Sequence, residues 1–281
     1  MISIVDLNGG FGNQLFQYSL AIKLKKMGFS VHIYDPTKVD YFNKKIDGIN
    51  KTNNLKLMSL QKIKKIHFVN NYFFSNIQND FNISNIQKDF NIGKNKSPLK
   101  IEKINCFNGY WQNFELVKDN IEEIKELISI QNPDLFNFSK NNNLEGKTLV
   151  HVRRGDYIKT GQALNTLYYE KSFEYLKSKN KELNLHIFTD DYEWVKSKKV
   201  FKLANYVEAP KNNVREKNTV FETFNKMLNF ENYIIANSTF SWWAASLSES
   251  NNLLKICPEP YMTNIDYKID LFDESWIKIS S

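Results

Sequence analysis

Apolar positions along the 281-residue chain change their period wherever turn-forming residues intervene, and those changes outline an α/β protein. Ile2 to Leu7 has the length and apolar density of a short buried strand. The cluster Gly9-Gly10-Phe11-Gly12 interrupts it, and helical spacing follows from about Asn13 to Met27. Leu15, Tyr18 and Ile22 form one apolar row of that helix, Phe16, Leu20, Leu24 and Met27 the adjacent one, and Gly28 stands where a C-terminal cap belongs. Ser30 to Tyr34 reads as the next strand, so the chain opens as strand, tight loop, helix and strand.

From about residue 36 to residue 100 the sequence is rich in Asn and Lys with weak periodicity, which predicts irregular structure with short helices. Order returns with a strand-like run from Ile104 to Trp111 and a helix near Phe114 to Ile130, where Leu116, Ile121, Ile124, Leu127 and Ile128 recur at helical spacing. Asn137 to Gly146 reads as a linker between two lobes, 1–140 and 141–281. Beyond it strands at Thr148–Val152, Leu185–Phe188, Tyr206–Val207, Tyr233–Ala236 and Leu253–Cys257 alternate with helices near Tyr168–Ser178, Tyr192–Lys198, Val220–Phe230 and Phe240–Ser248. That alternation predicts a parallel, doubly wound sheet.

Composition narrows the function. The net charge of +7 admits nucleic acid, an anionic membrane face or a phosphorylated small molecule as partner. Only Arg153, Arg154 and Arg215 among the 38 basic residues are arginines. A diffuse lysine excess is a solvated surface before it is a nucleic-acid interface, and it suits peripheral association with a membrane. Cys106 and Cys257 stand far apart in sequence and lack metal-ligand spacing, which gives a disulfide framework or a zinc site little support and fits a reducing compartment. The N-terminus has no basic, apolar leader and no later run has the length of a span, so the expected location is cytoplasmic, with room for peripheral attachment at the inner membrane face.

Three segments carry candidate chemistry. Gly9, Gly10 and Gly12 sit at a strand-to-helix junction, where backbone amides suit a phosphate or a sugar hydroxyl, and where a tight turn is the plain alternative. With Asp35 as a ribose acid the same loop reads as a dinucleotide fingerprint, against which Leu15 stands in place of a small third residue. His151-Val152-Arg153-Arg154-Gly155-Asp156-Tyr157 is sharper, because two of the three arginines fall together at the carboxyl end of a strand, where open α/β sheets bind ligands. A guanidinium donates parallel hydrogen bonds to phosphate in a way that lysine does not. One arginine is expected to grip the ligand and the other to brace the loop, with Asp156 as a partner; a purely structural Arg–Asp pair is the alternative. Asp190 and Asp191 end the next strand, with Asp190 open to a base or ribose role or to capping a helix. No Asp-x-Asp element is present to hold a divalent ion, and no metal or other cofactor is expected. Asn237-Ser238-Thr239-Phe240-Ser241-Trp242-Trp243 brings hydroxyls to another strand end, as ordinary caps or as a second phosphate contact, with the tryptophans read as core before a sugar platform.

Taken together, these motifs resemble glycosyltransferase family 11, the α-1,2-fucosyltransferases. Gly9 to Tyr18 is similar to its N-terminal signature and His151 to Tyr157 to its His-x-Arg-Arg-x-Asp motif. Gly109-Tyr110-Trp111-Gln112, Phe188-Thr189-Asp190-Asp191, Ser238 to Trp243 and Trp276-Ile277-Lys278-Ile279 fall in family order. The resemblance implies a GT-B-like protein of two Rossmann-like lobes, the first facing the acceptor and the second holding the nucleotide sugar. It implies GDP-β-L-fucose as co-substrate and inverting transfer to a galactose-terminated glycan in surface polysaccharide or lipopolysaccharide synthesis, without nucleic acid. It further implies that Arg153 contacts the β-phosphate, that His151 helps to read guanine, and that Asn13 lies near fucose and acceptor. Gly10, Gly12, Gln14, Arg154, Asp156, Asp190, Ser238, Thr239 and Ser241 are the remaining substrate-side positions. Thr223, Phe230 and Asn232 depart from the family, which leaves the guanine-reading acid open, with Asp190 preferred over Asp191 and Glu222, and no residue of the first lobe is singled out as general base. A related transferase with another linkage or nucleotide sugar, a nicotinamide oxidoreductase and a non-catalytic binding module are the competing readings.

Overall fold

The computed structural model describes residues 2–35, 41–42, 48–52, 66–71, 104–133, 146–179, 183–209, 217–228, 230–249, 254–263, 269 and 271–281. The chain divides into two compact units, Met1–Pro133 and Asp134–Ser281. Each is built on a parallel sheet, giving the two Rossmann-like lobes that the family resemblance implies.

In the first unit strands β1 (Ile2–Asp6), β2 (Ser30–Tyr34), β3 (Ile49–Thr52), β4 (Ile66–Asn71) and β5 (Ile104–Gly109) lie in the order β3-β2-β1-β5-β4, and every pairing is parallel. β3 and β4 correct the expectation of irregular structure over 36–100. β3 (INKT) is mostly polar, and the apolar residues of β4 (IHFVNN) stand in an Asn- and Lys-rich stretch, so backbone pairing to β2 and β5 defines both strands. The rest of 36–100 lies outside the described residues apart from a few positions. Helix α1 (Phe11–Lys26) follows β1, and twelve of its sixteen residues are buried, Gln14, Gln17 and Ser19 included. A helix covered on so many sides is core rather than surface. It ends as a Schellman cap: Gly28 at φ +87° donates to the Lys25 carbonyl (2.9 Å) and Phe29 to the Leu24 carbonyl (3.1 Å).

The single helix expected near Phe114–Ile130 is instead α2 (Phe114–Val117), a 3-10 turn (Lys118–Asn120) and α3 (Ile121–Gln131). The cause is Asn120, whose buried carboxamide donates to the Leu116 carbonyl (2.9 Å) and the Ser19 carbonyl (3.2 Å), giving the backbone a local alternative to a continuous ladder.

The second unit contains β6 (Lys147–Val152), α4 (Gly155–Lys159), α5 (Thr166–Ser178), β7 (Asn184–Thr189), α6 (Tyr192–Ser197), β8 (Tyr206–Glu208) and α7 (Lys217–Met227). β9 (Asn232–Ile234), α8 (Thr239–Ser246), β10 (Leu254–Glu259) and β11 (Trp276–Ser280) complete it. Its sheet runs β11-β10-β9-β6-β7-β8, all parallel, which is the doubly wound order with its switch between β6 and β9. β11, whose residues stood only as a closing motif, adds an edge strand. Adjacent tyrosines of α5 fasten the switch: Tyr168 donates to the Ile235 carbonyl (2.7 Å) after β9, and Tyr169 to the His151 carbonyl (3.1 Å) on β6. Both rings are fully buried, so each supplies apolar packing of about 1.5–3 kcal/mol while its hydroxyl remains satisfied. Trp242 and Trp243 are likewise core, with no exposed surface. Among the described residues no helix is long and apolar enough to cross a membrane.

Candidate active site

In the second unit the site starts from strand register. His151 pairs opposite Phe188 and Val152 opposite Thr189, so the residues that leave the two strands face each other as Arg153 with Asp190 and Arg154 with Asp191. Asp190 holds the turn. Its Oδ1 accepts from the backbone amides of Arg154 (2.7 Å) and Gly155 (3.3 Å), and its Oδ2 pairs with Arg153 Nη1 (2.7 Å). Gly155 must be small, because a Cβ there would stand 2.7 Å from Asp190 Oδ2.

The two arginines have different surroundings. Arg153 also pairs through Nη2 with Asp156 (2.5 Å), and its guanidinium lies 5.5 Å from the centre of the Tyr157 ring. The Asp156 side chain is 56% exposed, so an incoming anion can take its place on the guanidinium, whereas Asp190 is pinned by the backbone. Arg154 is more enclosed: Nε donates to Asp191 Oδ2 (3.0 Å), and the guanidinium stacks 3.9 Å over the Trp194 ring. The brace expected between Arg154 and Asp156 therefore runs to Asp191 and Trp194, and Asp156 belongs to Arg153. Helix capping, the alternative reading of Asp190, belongs to Asp191, whose Oδ1 accepts from Trp194 N (3.1 Å) at the start of α6.

His151 is buried and bonded through Nδ1 to Ser241 Oγ (2.8 Å). Because Ser241 Oγ donates to the Ser238 carbonyl (3.2 Å), it accepts from the imidazole, which carries its proton on Nδ1 and keeps Nε2 as an acceptor. Burial first, and the Arg153 charge second, push the His151 pKa down to about 3, so the ring is neutral at physiological pH. Ser238 is the N-cap residue of α8 without a side-chain cap bond, and Thr239 opens the helix. Tyr157 ties this segment to the arginine loop by donating to the Asn237 carbonyl (3.0 Å). Thus His151, Arg153, Arg154, Asp156, Asp190, Ser238, Thr239 and Ser241 gather at one sheet edge.

Gly10, Gly12, Asn13 and Gln14 fall in the first unit, at its own strand-to-helix junction. The special backbone belongs to Gly9, at φ +76°, whereas Gly10 is extended and opens α1 as its N-cap, and Gly12 is the second helical residue. A Cβ on Gly9 would meet Asn13 Nδ2 at 2.5 Å and Tyr110 at 3.1 Å. Gln17, buried, accepts from Asn8 N (2.9 Å) and donates to the Gly109 carbonyl (2.8 Å), fastening the loop after β1 to the end of β5 across the switch of this sheet. Gln14 donates weakly to the Gly9 carbonyl (3.4 Å). Sequence reasoning passed over Asp6, the last residue of β1, whose burial pushes its pKa up to about 6. A carboxylate tuned in that way is able to accept a proton near neutral pH. Among the described residues no group of three or more His, Cys, Asp or Glu side chains forms a metal-binding cluster.

A doubly wound parallel sheet with an arginine fork and a neutral histidine at the carboxyl end of its central strand has the arrangement with which open α/β sheets receive anionic ligands. The comparisons give the family. The model for glycosyl transferase family 11 matches residues 2–280, and the chain belongs to that family of glycosyltransferases. It is 30% identical to an α-1,2-colitosyltransferase of Escherichia coli over 99% of both chains. It is 27% identical to the O-antigen biosynthesis glycosyltransferase WbnK of Escherichia coli, over 97% of this chain and 99% of that one. Among solved structures it resembles the fucosyltransferase NodZ from Bradyrhizobium, with a TM-score of 0.47 and 14% identity over 88% of this chain and 92% of that one. Family membership sets aside the oxidoreductase and the non-catalytic readings.

The buried histidine predicts a pH effect on stability. Its folded pKa, about 3, lies below the ordinary value of 6.5, so the unfolded chain binds the proton more readily, and stability is lost as pH falls from about 6.5 toward 3. The melting temperature of the wild-type protein is expected to fall more steeply between pH 7 and pH 4.5 than that of His151→Gln. Parallel curves would show that His151 is not held neutral.

Proposed function

We propose that the protein is an inverting, metal-independent α-1,2-fucosyltransferase that moves L-fucose from GDP-β-L-fucose to the 2-hydroxyl of a terminal galactoside. Surface polysaccharide or lipopolysaccharide is the proposed destination, in keeping with the O-antigen relative. The observation that carries the reading is the Arg153 fork, set by Asp190 at the ligand edge of a family 11 chain. As the sugar–phosphate bond breaks, negative charge gathers on the leaving diphosphate while the sugar becomes oxocarbenium-like. A guanidinium already oriented toward that charge stabilises it without reorganising. A phosphate exchanges for Asp156 on Arg153, while Arg154 and Asp191 keep the loop in place. His151 offers Nε2 to the base and is held in that sense by Ser241, while Ser238 and Thr239 offer hydroxyls at the neighbouring helix start. Asn13, with Gly10, Gly12 and Gln14, serves the fucose and acceptor side. The lysine excess suits peripheral attachment to an anionic membrane face.

A second reading, transfer of a colitosyl group with the same α-1,2 linkage, is favoured by the 30% identity to the colitosyltransferase. Incubation with GDP-fucose or a colitosyl donor and a panel of β-galactosides, with product linkage read by NMR, separates the two. Transfer from GDP-fucose alone supports the first reading, transfer from the colitosyl donor alone the second, and any other linkage overturns both.

Arg153→Lys keeps the charge and loses the planar fork, so turnover is expected to fall at least about tenfold, as loss of a transition-state contact demands. Near-wild-type turnover would remove Arg153 from the mechanism. Activity is also expected to persist in EDTA, because the two acids at the end of β7 hold arginines and amides. Complete loss that manganese restores would contradict metal independence.

A further inference from the structure

The loop after β5 adopts a backbone that side chains rarely take. Trp111 has φ 57°, in the left-handed region, and is the sole non-glycine residue with positive φ among the described residues. Such a conformation costs on the order of 1 kcal/mol or more in a bulky residue and persists where its surroundings hold it. Here the Trp111 ring is buried, 2% exposed, and packs edge-on against Phe107 at 5.8 Å between centroids. The next residue, Gln112, meets the glycine loop: its Nε2 donates to Asn13 Oδ1 at 3.0 Å. The other amide atom, Gln112 Oε1, is buried and takes no hydrogen bond among the described residues, so Asn13 is the partner that orients this carboxamide.

The bond has a chemical sense. Two carboxamides can be joined with either as donor, and the two senses present opposite faces of Asn13. With Gln112 as donor the Asn13 oxygen is occupied and its Nδ2 lies against Gly9, where a Cβ would be only 2.5 Å away. Gly9, with no side chain and φ +76°, leaves room for that nitrogen. Three elements therefore converge on one orientation: the strained turn at Trp111, the Gln112 donor and the bare backbone of Gly9.

We propose that Gln112 is a positioning residue for glycosyl transfer, holding Asn13 so that its Nδ2 is presented at the Gly9 turn as a donor to a substrate hydroxyl. The inference rests on the reading above that Asn13 serves the fucose and acceptor side, and it adds which atom of Asn13 acts and what sets it. Gln112 need not touch the substrate. Its effect falls on turnover, where geometry at the reacting atoms matters most, rather than on nucleotide binding.

The test uses the full chain with Gln112→Glu, Asn13→Ala and the double variant, measuring acceptor kcat and KM, GDP affinity by calorimetry and the melting temperature. An ionised glutamate keeps the shape of Gln112 but only accepts, so it reverses the sense of the bond. Gln112→Glu is expected to lose about tenfold or more in kcat with GDP affinity unchanged. The double variant is expected to be no worse than Asn13→Ala, because nothing remains to position. Should the buried carboxylate lower the melting temperature, Gln112→Met, neutral and of similar size, carries the same expectation. Wild-type kcat in both Gln112 variants, or losses that add in the double variant, would overturn the positioning role while an impaired Asn13→Ala leaves the function of Asn13 standing. Wild-type transfer by Asn13→Ala would instead overturn the reading of Asn13, and this inference with it.

Discussion

One carboxylate sets the geometry on which the second unit's site depends. Asp190 accepts from two consecutive backbone amides and pairs with the first of two arginines, so it fixes both the course of the turn and the direction of the Arg153 fork. A guanidinium on its own flexible stem gives charge without direction. Anchoring it to an acid that is itself held by the backbone turns it into an oriented donor before any ligand arrives, which is how electrostatic preorganisation avoids a reorganisation cost during reaction. The second arginine completes the device from outside, sandwiched between Asp191 and Trp194.

The rest of the fold serves that edge. Parallel pairing of β6 with β7 and β9 brings the His151, Asp190 and Ser238 segments to one side of the sheet, and Tyr168 and Tyr169 clamp the strands beside the switch from beneath. The first unit repeats the principle with other chemistry. Gln17 bridges the loop after β1 to the end of β5, and Gln112 bridges the loop after β5 to Asn13. Neutral carboxamides do there what ion pairs do in the second unit.

Much of this was legible before any coordinates. Alternating strand and helix runs after residue 147 gave the second sheet, because buried parallel strands write continuous apolar segments bounded by turns. The arginine pair stood out in a lysine-rich chain, and its position at a strand end marked the candidate site. What stayed hidden depended on pairing rather than pattern. Strand β3 is mostly polar, the short apolar run of β4 lies in an Asn- and Lys-rich stretch, and Asn120 breaks a helix through contacts that only the fold supplies. Arg154 pairs with Asp191 rather than Asp156 because β6 and β7 lie in register, and that register was implicit in two motifs placed at equivalent strand ends. Gly9 was counted with its neighbours, yet it alone of the cluster needs a positive φ.

The central claim, that Asp190 orients the arginine fork for a diphosphate, is tested most directly by calorimetry of GDP binding to Asp190→Asn. An asparagine of the same shape still accepts from the amides but no longer neutralises or aims Arg153. GDP affinity is expected to fall by at least about tenfold, with the folded state retained. An affinity equal to that of the wild-type protein would contradict the account.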